Sequence, residues 1–352
     1  MCAPHFKCRG PPGIQPPIGA RGYRCSTCGP LEDVLTPETG FVCITHPSPE
    51  LADRGIDCIL AGPERGGMAR RLEIRARRSG FDALCRQYNI SATNQVVCLQ
   101  NDQVAAAGLW VPNPGKSAIC YLPPSRYLQG REAQTAACLK AAAGEAAAAG
   151  MKMIQGIFDP EEKILPGIYQ SAGYQLLAVL QFMEHTARWT LPEIQLPDDY
   201  DLETYRPDTH ELFKQAIGAS YEQTLDCPAM SGLRSLDEVI VGHQHAGTFD
   251  PALWFVLVHQ DRGVGVLILT YHASMNSLDV TYLGIGHAHR GRHLGLFFMT
   301  QTRKIMRWTG ARASTLAVDE RNTPAVGLYR KVGYRPTQRR EVYFLPLGVK
   351  SR

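Results

Sequence analysis

Beyond residue 67 the chain alternates between stretches of period two and stretches of period near 3.6, the spacings of strands and amphipathic helices. LEIRA (72–76) alternates as a strand and FDALCRQYNI (81–90) is helical. QVVCLQNDQVAAAGLWV (95–111) predicts two strands joined at an Asn-Asp turn, and AICYL (118–122) a third. The alanine-rich run Ala133–Ala149 predicts a strong helix stopped by Gly150. MIQGIF (153–158) reads as a strand, followed by a short helix to Gly173 and the strand YQLLAVLQFM (174–183). Arginines flank LEIRA, and a solvated strand face accounts for them better than a phosphate patch.

The same order then repeats. YDLETYR (200–206) is a strand, followed by helices THELFKQAIGASYEQ (209–223) and SLDEVIVGHQ (235–244). ALWFVLVHQDRGVGVLILTY (252–271) predicts two strands meeting at an Asp-Arg-Gly turn, and SLDVTYLGI (277–285) a third. A helix to Gly310, strand ASTLAVD (313–319), helix NTPAVGLYRKVG (322–333) and strand YRPTQRREVYFLPL (334–347) complete it. Gly150, Asp159, Tyr169, Gly173 and Tyr174 recur as Gly310, Asp319, Tyr329, Gly333 and Tyr334, each 160 residues on. Five identities at one offset, on matching elements, point to a duplicated fold. The linker falls where LPEIQLPDD (191–199) breaks the pattern, around Pro192.

Residues 1–67 lack either period and hold ten of the 24 prolines, ten of the 33 glycines and six of the eleven cysteines. We expect this segment to stay disordered, with folding beginning near Met68. It contains one CxxC pair, Cys25 and Cys28; a zinc site usually needs a second such pair, so no metal is expected. The remaining cysteines are scattered singly through apolar segments, as reduced thiols of a cytoplasmic protein would be. No secretory signal is expected, because the N-terminus has no apolar stretch. Nor does any window of about eighteen apolar residues mark a membrane helix. A net charge of +4 implies no general affinity for nucleic acid or membrane.

The chemistry concentrates in GIGHAHRGRHLGLFFM (284–299), where a strand runs through a turn into a helix. His287, His289 and His293 bring no carboxylate with them, which argues against a metal site. Leu294, Phe298, Ile305 and Trp308 form one stripe of the helix, so its buried face fixes where it starts. Free amides at that start, with glycines beside them, attract anions, and Arg290 and Arg292 add donors. The loop lacks GxxxxGK[ST] and GxGxxG, which disfavours a kinase or a dinucleotide enzyme.

Arg290-Gly291-Arg292-His293-Leu294-Gly295 resembles the [QR]-x-x-G-x-[GA] pyrophosphate loop of GNAT-type N-acetyltransferases. LAVDERNTPAVGLYRKVGY (316–334) resembles that family's second segment, L-x-V-x(3)-N-x(2)-A-x(2)-L-Y-x-x-x-G-[FY]. Either motif alone is weak; together they are specific, and the element order matches over roughly residues 200–347. The layout also resembles tandem two-domain members such as mycothiol synthase. Two departures stand out: His293 replaces the central loop glycine, and His287 the usual preceding proline.

The resemblance implies an α/β (α+β) fold of two tandem GNAT-like domains, each a mixed, mostly antiparallel sheet with splayed central strands and flanking helices. It implies a degenerate domain over residues 68–192 and a catalytic one over 199–350. Acetyl-CoA, the co-substrate, would pair with the strand at Leu283, Gly284 and Ile285. Its diphosphate would lie on the loop Arg290, Gly291, Arg292, His293, Leu294 and Gly295, with Asn322 facing the coenzyme. Tyr329 would protonate the departing thiolate, and Asp279 is the candidate base. Glu222 and Asp226, with Cys227 as lining, are candidates for the pocket of a small-molecule or peptide amine. The equivalent first-half loop begins Gly130-Arg131-Glu132 and places a carboxylate where the diphosphate would lie, so no coenzyme is expected there. The reading is an enzyme, an acyltransferase acting as monomer or homodimer without nucleic acid; the alternative is a non-catalytic coenzyme A-binding or scaffold protein.

Overall fold

The computed structural model describes residues 40–63, 67–186 and 193–348. Cys25 and Cys28, and part of the proposed linker, lie outside them.

The first half runs β1 (Val42–Ile44), α1 (Pro49–Ala61), α2 (Met68–Tyr88), β2 (Gln95–Gln100), β3 (Gln103–Asn113), β4 (Ser117–Tyr121), α3 (Glu132–Ala148), β5 (Met153–Phe158), α4 (Leu165–Ser171) and β6 (Gln175–Thr186). The second runs β7 (Asp201–Thr204), α5 (His210–Tyr221), α6 (Leu236–Gln244), β8 (Trp254–His259), β9 (Arg262–His272), β10 (Ser277–Ile285), α7 (Leu294–Thr309), β11 (Ala313–Asp319), α8 (Thr323–Lys331) and β12 (Arg335–Pro346).

The expected elements form, with four corrections. LEIRA is not a strand but part of α2. Alternation over five residues also suits a helix, Leu72 is exposed and has no sheet face to fill, and Glu73–Arg77 pairs at i,i+4 (2.8 Å). The β8–β9 turn falls on Gln260 and Asp261, both at positive φ (49° and 59°), one residue before the expected place. Gly263 is thereby freed for β9, where a Cβ would meet the Leu212 carbonyl oxygen at 1.9 Å; glycine lets α5 lie against the sheet. Trp308 is exposed, and the buried stripe of α7 ends at Met306 instead. Finally, residues 40–63 are folded. Ser48 caps α1, which buries Ile56, Cys58 and Ile59, and β1 pairs with β2. Averaged over the whole segment, its prolines and glycines hid this short capped helix.

The duplication extends to the hydrogen bonds. Tyr174 N donates to Tyr169 O, and Tyr334 N to Tyr329 O, both at 2.9 Å. β4 pairs in parallel with β5 at Ser117–Ile119, and β10 with β11 at Ser277–Asp279, again 160 residues apart. The remaining pairings are antiparallel, in one mixed sheet of order β1-β2-β3-β4-β5-β12-β6-β11-β10-β9-β8-β7.

That order exchanges the last strands. β6 of the first half pairs with β11, and β12 of the second with β5, while β6 and β12 pair with each other at the centre. A small core of Met153, Leu177, Ala178, Val342 and Phe344 seals this seam. Each half's own core lies to one side of it.

Candidate active site

β10 pairs with β11 only as far as Asp279; beyond it the two strands separate. Opposite β9 an extra residue, Thr281, breaks the register between Val280 and Tyr282. The bulge brings Tyr282 to the α5 side, where its hydroxyl meets Ser220 Oγ at 2.7 Å. The edge from Tyr282 to Ile285 is left without a strand partner on the β11 side among the described residues. Gly284 is required here, since a Cβ would come within 2.7 Å of Ser220.

The chain then turns through His287–His289 into α7. Gly291 (φ 79°) and His293 (φ 59°) both take left-handed backbone, and His293 is the helix N-cap residue. The first intrahelical bond runs from Phe297 N to His293 O, at 3.0 Å. The amides from Gly291 to Leu296 therefore have no acceptor among the described residues. They form the anion-attracting end expected of this loop.

Strand edge and helix start share one cavity of about 470 Å³. Leu283, Gly284, Ile285, Arg290, Gly291, His293, Leu294, Gly295, Asn322 and Asp226 all line it. The sequence reading missed Tyr282, Ser220 and Lys331. Lys331 was accessible to it: Asn322, Ala325, Leu328 and Lys331 recur every third residue along the α8 face lining the cavity.

Two arginines do other work than expected. Arg290 donates to four main-chain carbonyls: Ile285 (3.1 Å), Ser220 (2.9 Å), Glu222 (2.9 Å) and Gln223 (3.0 Å). It clamps the end of α5 to the loop and has few donors left for a phosphate. Arg292 donates to Tyr200 Oη (3.3 Å) and does not line the cavity. Tyr200 in turn meets His289 Nδ1 at 2.8 Å.

Tyr329 and Asp279 do not line the cavity either. Tyr329 is buried beside Tyr334, ring centroids 5.9 Å apart, and its hydroxyl has no hydrogen-bond partner among the described residues. Burial, and then the carboxylates of Asp226 and Asp279, hold its phenol above the usual range. Asp279 accepts from Thr315 Oγ1 (2.9 Å) and Thr281 Oγ1 (3.2 Å). Burial still raises its carboxyl, against those two bonds.

Of the expected acceptor residues, Glu222 is exposed and gives its carbonyl to Arg290. Asp226 accepts from the Asp319 amide at 3.0 Å, and burial raises its carboxyl. Burial pushes the Cys227 thiol up to about 12, which does not suit a nucleophile. Ligand-type atoms of Asp226, Cys227 and Asp319 lie within 4.8 Å of one another, but Arg321 already forks onto Asp319 at 2.6–3.2 Å. The loop histidines do not converge on any such group among the described residues.

In the first half the equivalent turn is occupied from within. Glu132 Oε1 accepts from Gly130 N at 3.0 Å, and backbone amides at the start of α3 hold its carboxyl below the usual range. A built-in carboxylate sits where the second half offers free amides.

Residues 198–334 match the Acetyltransferase (GNAT) family. The second half is a GNAT domain. A GCN5-related N-acetyltransferase from Sphaerobacter thermophilus has a similar fold at 16% identity (TM-score 0.54), over 88% of this chain and 96% of that one. A glucosamine N-acetyltransferase region of a fungal multi-domain β-N-acetylglucosaminidase is similar at 12% (TM-score 0.50), over 87% of this chain and 38% of that one. A tandem GNAT protein from the clavulanic acid biosynthesis pathway, solved without acetyl-CoA, gives 13% and a TM-score of 0.47 over 88% and 99%. No curated protein matches. The likeness to the first of these covers most of the chain and shows that the fold is shared across both halves. No helix among the described residues is long and apolar enough to cross a membrane.

Proposed function

We propose that the second half transfers an acetyl group from acetyl-CoA to a small amine by direct attack on the thioester. One observation carries this reading: the unpaired β10 edge and the free amides of the α7 start line the same cavity. A pantetheine arm with its amides suits the first, and a diphosphate the second. Gly291, His293, Leu294 and Gly295 would hold the diphosphate through main-chain amides, with Lys331 and Asn322 opposite; Leu283 to Ile285 would hold the arm. Acetyl-CoA supplies the activated acyl group.

The chain's own groups supply the protons. Asp279, whose raised carboxyl suits a base, would take one from the ammonium through water, since it does not itself line the cavity. Tyr329 keeps its proton and offers it to the leaving sulfur. Amides of the unpaired β10 edge are donors for the charge that develops on the carbonyl oxygen. Coenzyme binding without turnover is the alternative, favoured by the side chain that His293 carries at a left-handed loop position.

Saturable thermal stabilisation by acetyl-CoA, followed by thiol release with a panel of amines, tests both. Stabilisation without thiol release leaves the binding reading. Neither result would remove the coenzyme from the site.

A further inference from the structure

A second cavity, about 330 Å³, opens between the halves. The β3–β4 turn and β5 form one wall; α6 and the loop before it form the other. The walls meet at a glycine crossing. A Cβ on Gly115 (φ 81°) would fall 2.3 Å from the Glu238 carbonyl oxygen and 2.8 Å from Gly242 Cα. This close crossing fixes the first half against α6.

Arg234 is the one permanently charged side chain lining this cavity among the described residues. Its Nη1 donates to Gly115 O at 3.2 Å, and its other donors meet no acceptor among the described residues. Burial lowers its pKa from the usual arginine range, against smaller opposing effects of Tyr221 and of the Glu238 carboxylate, which accepts from the Ser235 amide and makes no ion pair with Arg234. Beside it His243 is held neutral, its pKa brought to about 4 by burial and then by Arg234. The His243 ring lies 5.1 Å from that of Tyr282, which lines the coenzyme cavity. This ring pair stands where the two cavities adjoin. Ser117, Gln155 and Asn113 add neutral polar groups from the first half.

A partly buried guanidinium with spare donors and no anionic partner recognises a carboxylate, whose two oxygens match its fork. It repels a second cation. The volume suits a ligand of amino acid size. We infer that this cavity receives the acceptor, and that the acceptor is a small amine bearing a carboxylate, with the carboxylate on Arg234 and the amine toward Tyr282 and the adjoining first cavity. The first half then has a role in catalysis, as one wall of the acceptor site. This rests on the N-acetyltransferase reading above.

The test uses the full chain at saturating acetyl-CoA with matched amines that differ only in the carboxylate: lysine against cadaverine, ornithine against putrescine, phenylalanine against phenethylamine. We expect the carboxylated member to be preferred at least tenfold in kcat/KM. Arg234→Gln should erase the preference through KM, while acetyl-CoA binding by calorimetry is retained. Ser117→Trp, on the opposite wall, should raise the same KM by narrowing the cavity, which covers the case in which the Arg234 variant fails to fold. Equal use of both members by the parent protein, or a preference that survives Arg234→Gln, overturns the inference and leaves the acetyltransferase reading intact. If no amine is acetylated, calorimetric titration of the carboxylated amines decides: binding lost in Arg234→Gln supports the site, and absence of binding to the parent removes it. Failure of acetyl-CoA itself to bind would strike the acetyltransferase reading instead.

Discussion

Arg290 Nη2 donates to the carbonyl oxygen of Ser220 at 2.9 Å, joining the start of the glycine-containing loop to a helix end seventy residues earlier. Three further carbonyls share the same guanidinium. A cation at a helix C-terminus satisfies carbonyls the helix cannot, and the fork sets their spacing. We expect Arg290→Ala to lower stability by about 2 kcal/mol and to weaken acetyl-CoA binding, because the cavity wall moves. Arg290→Lys should restore little of either, since one ammonium cannot span four acceptors. Denaturant melts and calorimetry check this; full rescue by lysine would show that charge alone matters.

His293 has φ 59°, where a side chain is strained and glycine is not. It also lines the cavity. His293→Gly should leave stability within about 1 kcal/mol and tighten acetyl-CoA binding by roughly three- to tenfold. Weaker binding in the glycine variant would mean instead that the imidazole contributes a donor to the coenzyme.

Tyr329 is a buried residue whose hydroxyl makes no hydrogen bond among the described residues, and its phenol lies above the free value of 10.0. A raised folded pKa means the protonated form is favoured: that stability is whole below pH 10 and is lost as pH rises further. The hydroxyl therefore stays a proton donor through the working range. Tyr329→Phe should cost roughly 100-fold in kcat with stability within about 1 kcal/mol, because no hydrogen bond is removed. An unchanged kcat would assign the donor to another group.

Asp279 is raised above 3.8 by burial. Between that value and its folded pKa the native state binds more protons than the unfolded chain, so stability falls as pH rises through the window. At neutral pH the ionised carboxylate is a net cost. Asp279→Asn should therefore be at least as stable as the parent at pH 7, with the difference vanishing below about pH 4. Its kcat/KM for the amine should drop about 100- to 1000-fold, and the acid limb of the pH–rate profile should go with it. Thermal melts at both pH values and a rate profile separate the two effects.

Period and turn chemistry made most elements legible, and the two motifs single out a loop, a strand edge and Asn322 that the fold brings to one cavity. What escaped was decided by tertiary contact. LEIRA carries no period long enough to choose, and the salt bridge that favours helix runs from Glu73 to Arg77, one residue past its end. Arg290 sits at a motif position suited to phosphate, yet the nearest acceptors are carbonyls of a distant helix end, which no local pattern reveals. The acceptor-side cavity combines Ser117 and Gln155 with Arg234 and His243, from opposite halves. The strand exchange is equally silent in sequence, because β6 and β12 carry the same alternation whichever sheet they join.

That exchange bears on whether the halves can exist apart. Phe344 on β12 is 1% exposed and lies between Gln155 of β5 and Gln175 of β6 in register, in the seam core with Met153, Leu177 and Val342. Removing its ring leaves a cavity shared by both halves, so the loss cannot be confined to one. We expect Phe344→Ala to cost about 3–5 kcal/mol and both parent and variant to unfold in a single calorimetric transition. Residues 199–350 expressed alone would lack β6 beside β11, leave both faces of β12 edgewise unpaired, and aggregate. Two resolved transitions, with only the later half shifted by the substitution, would show that the halves fold as separate units despite the shared strands.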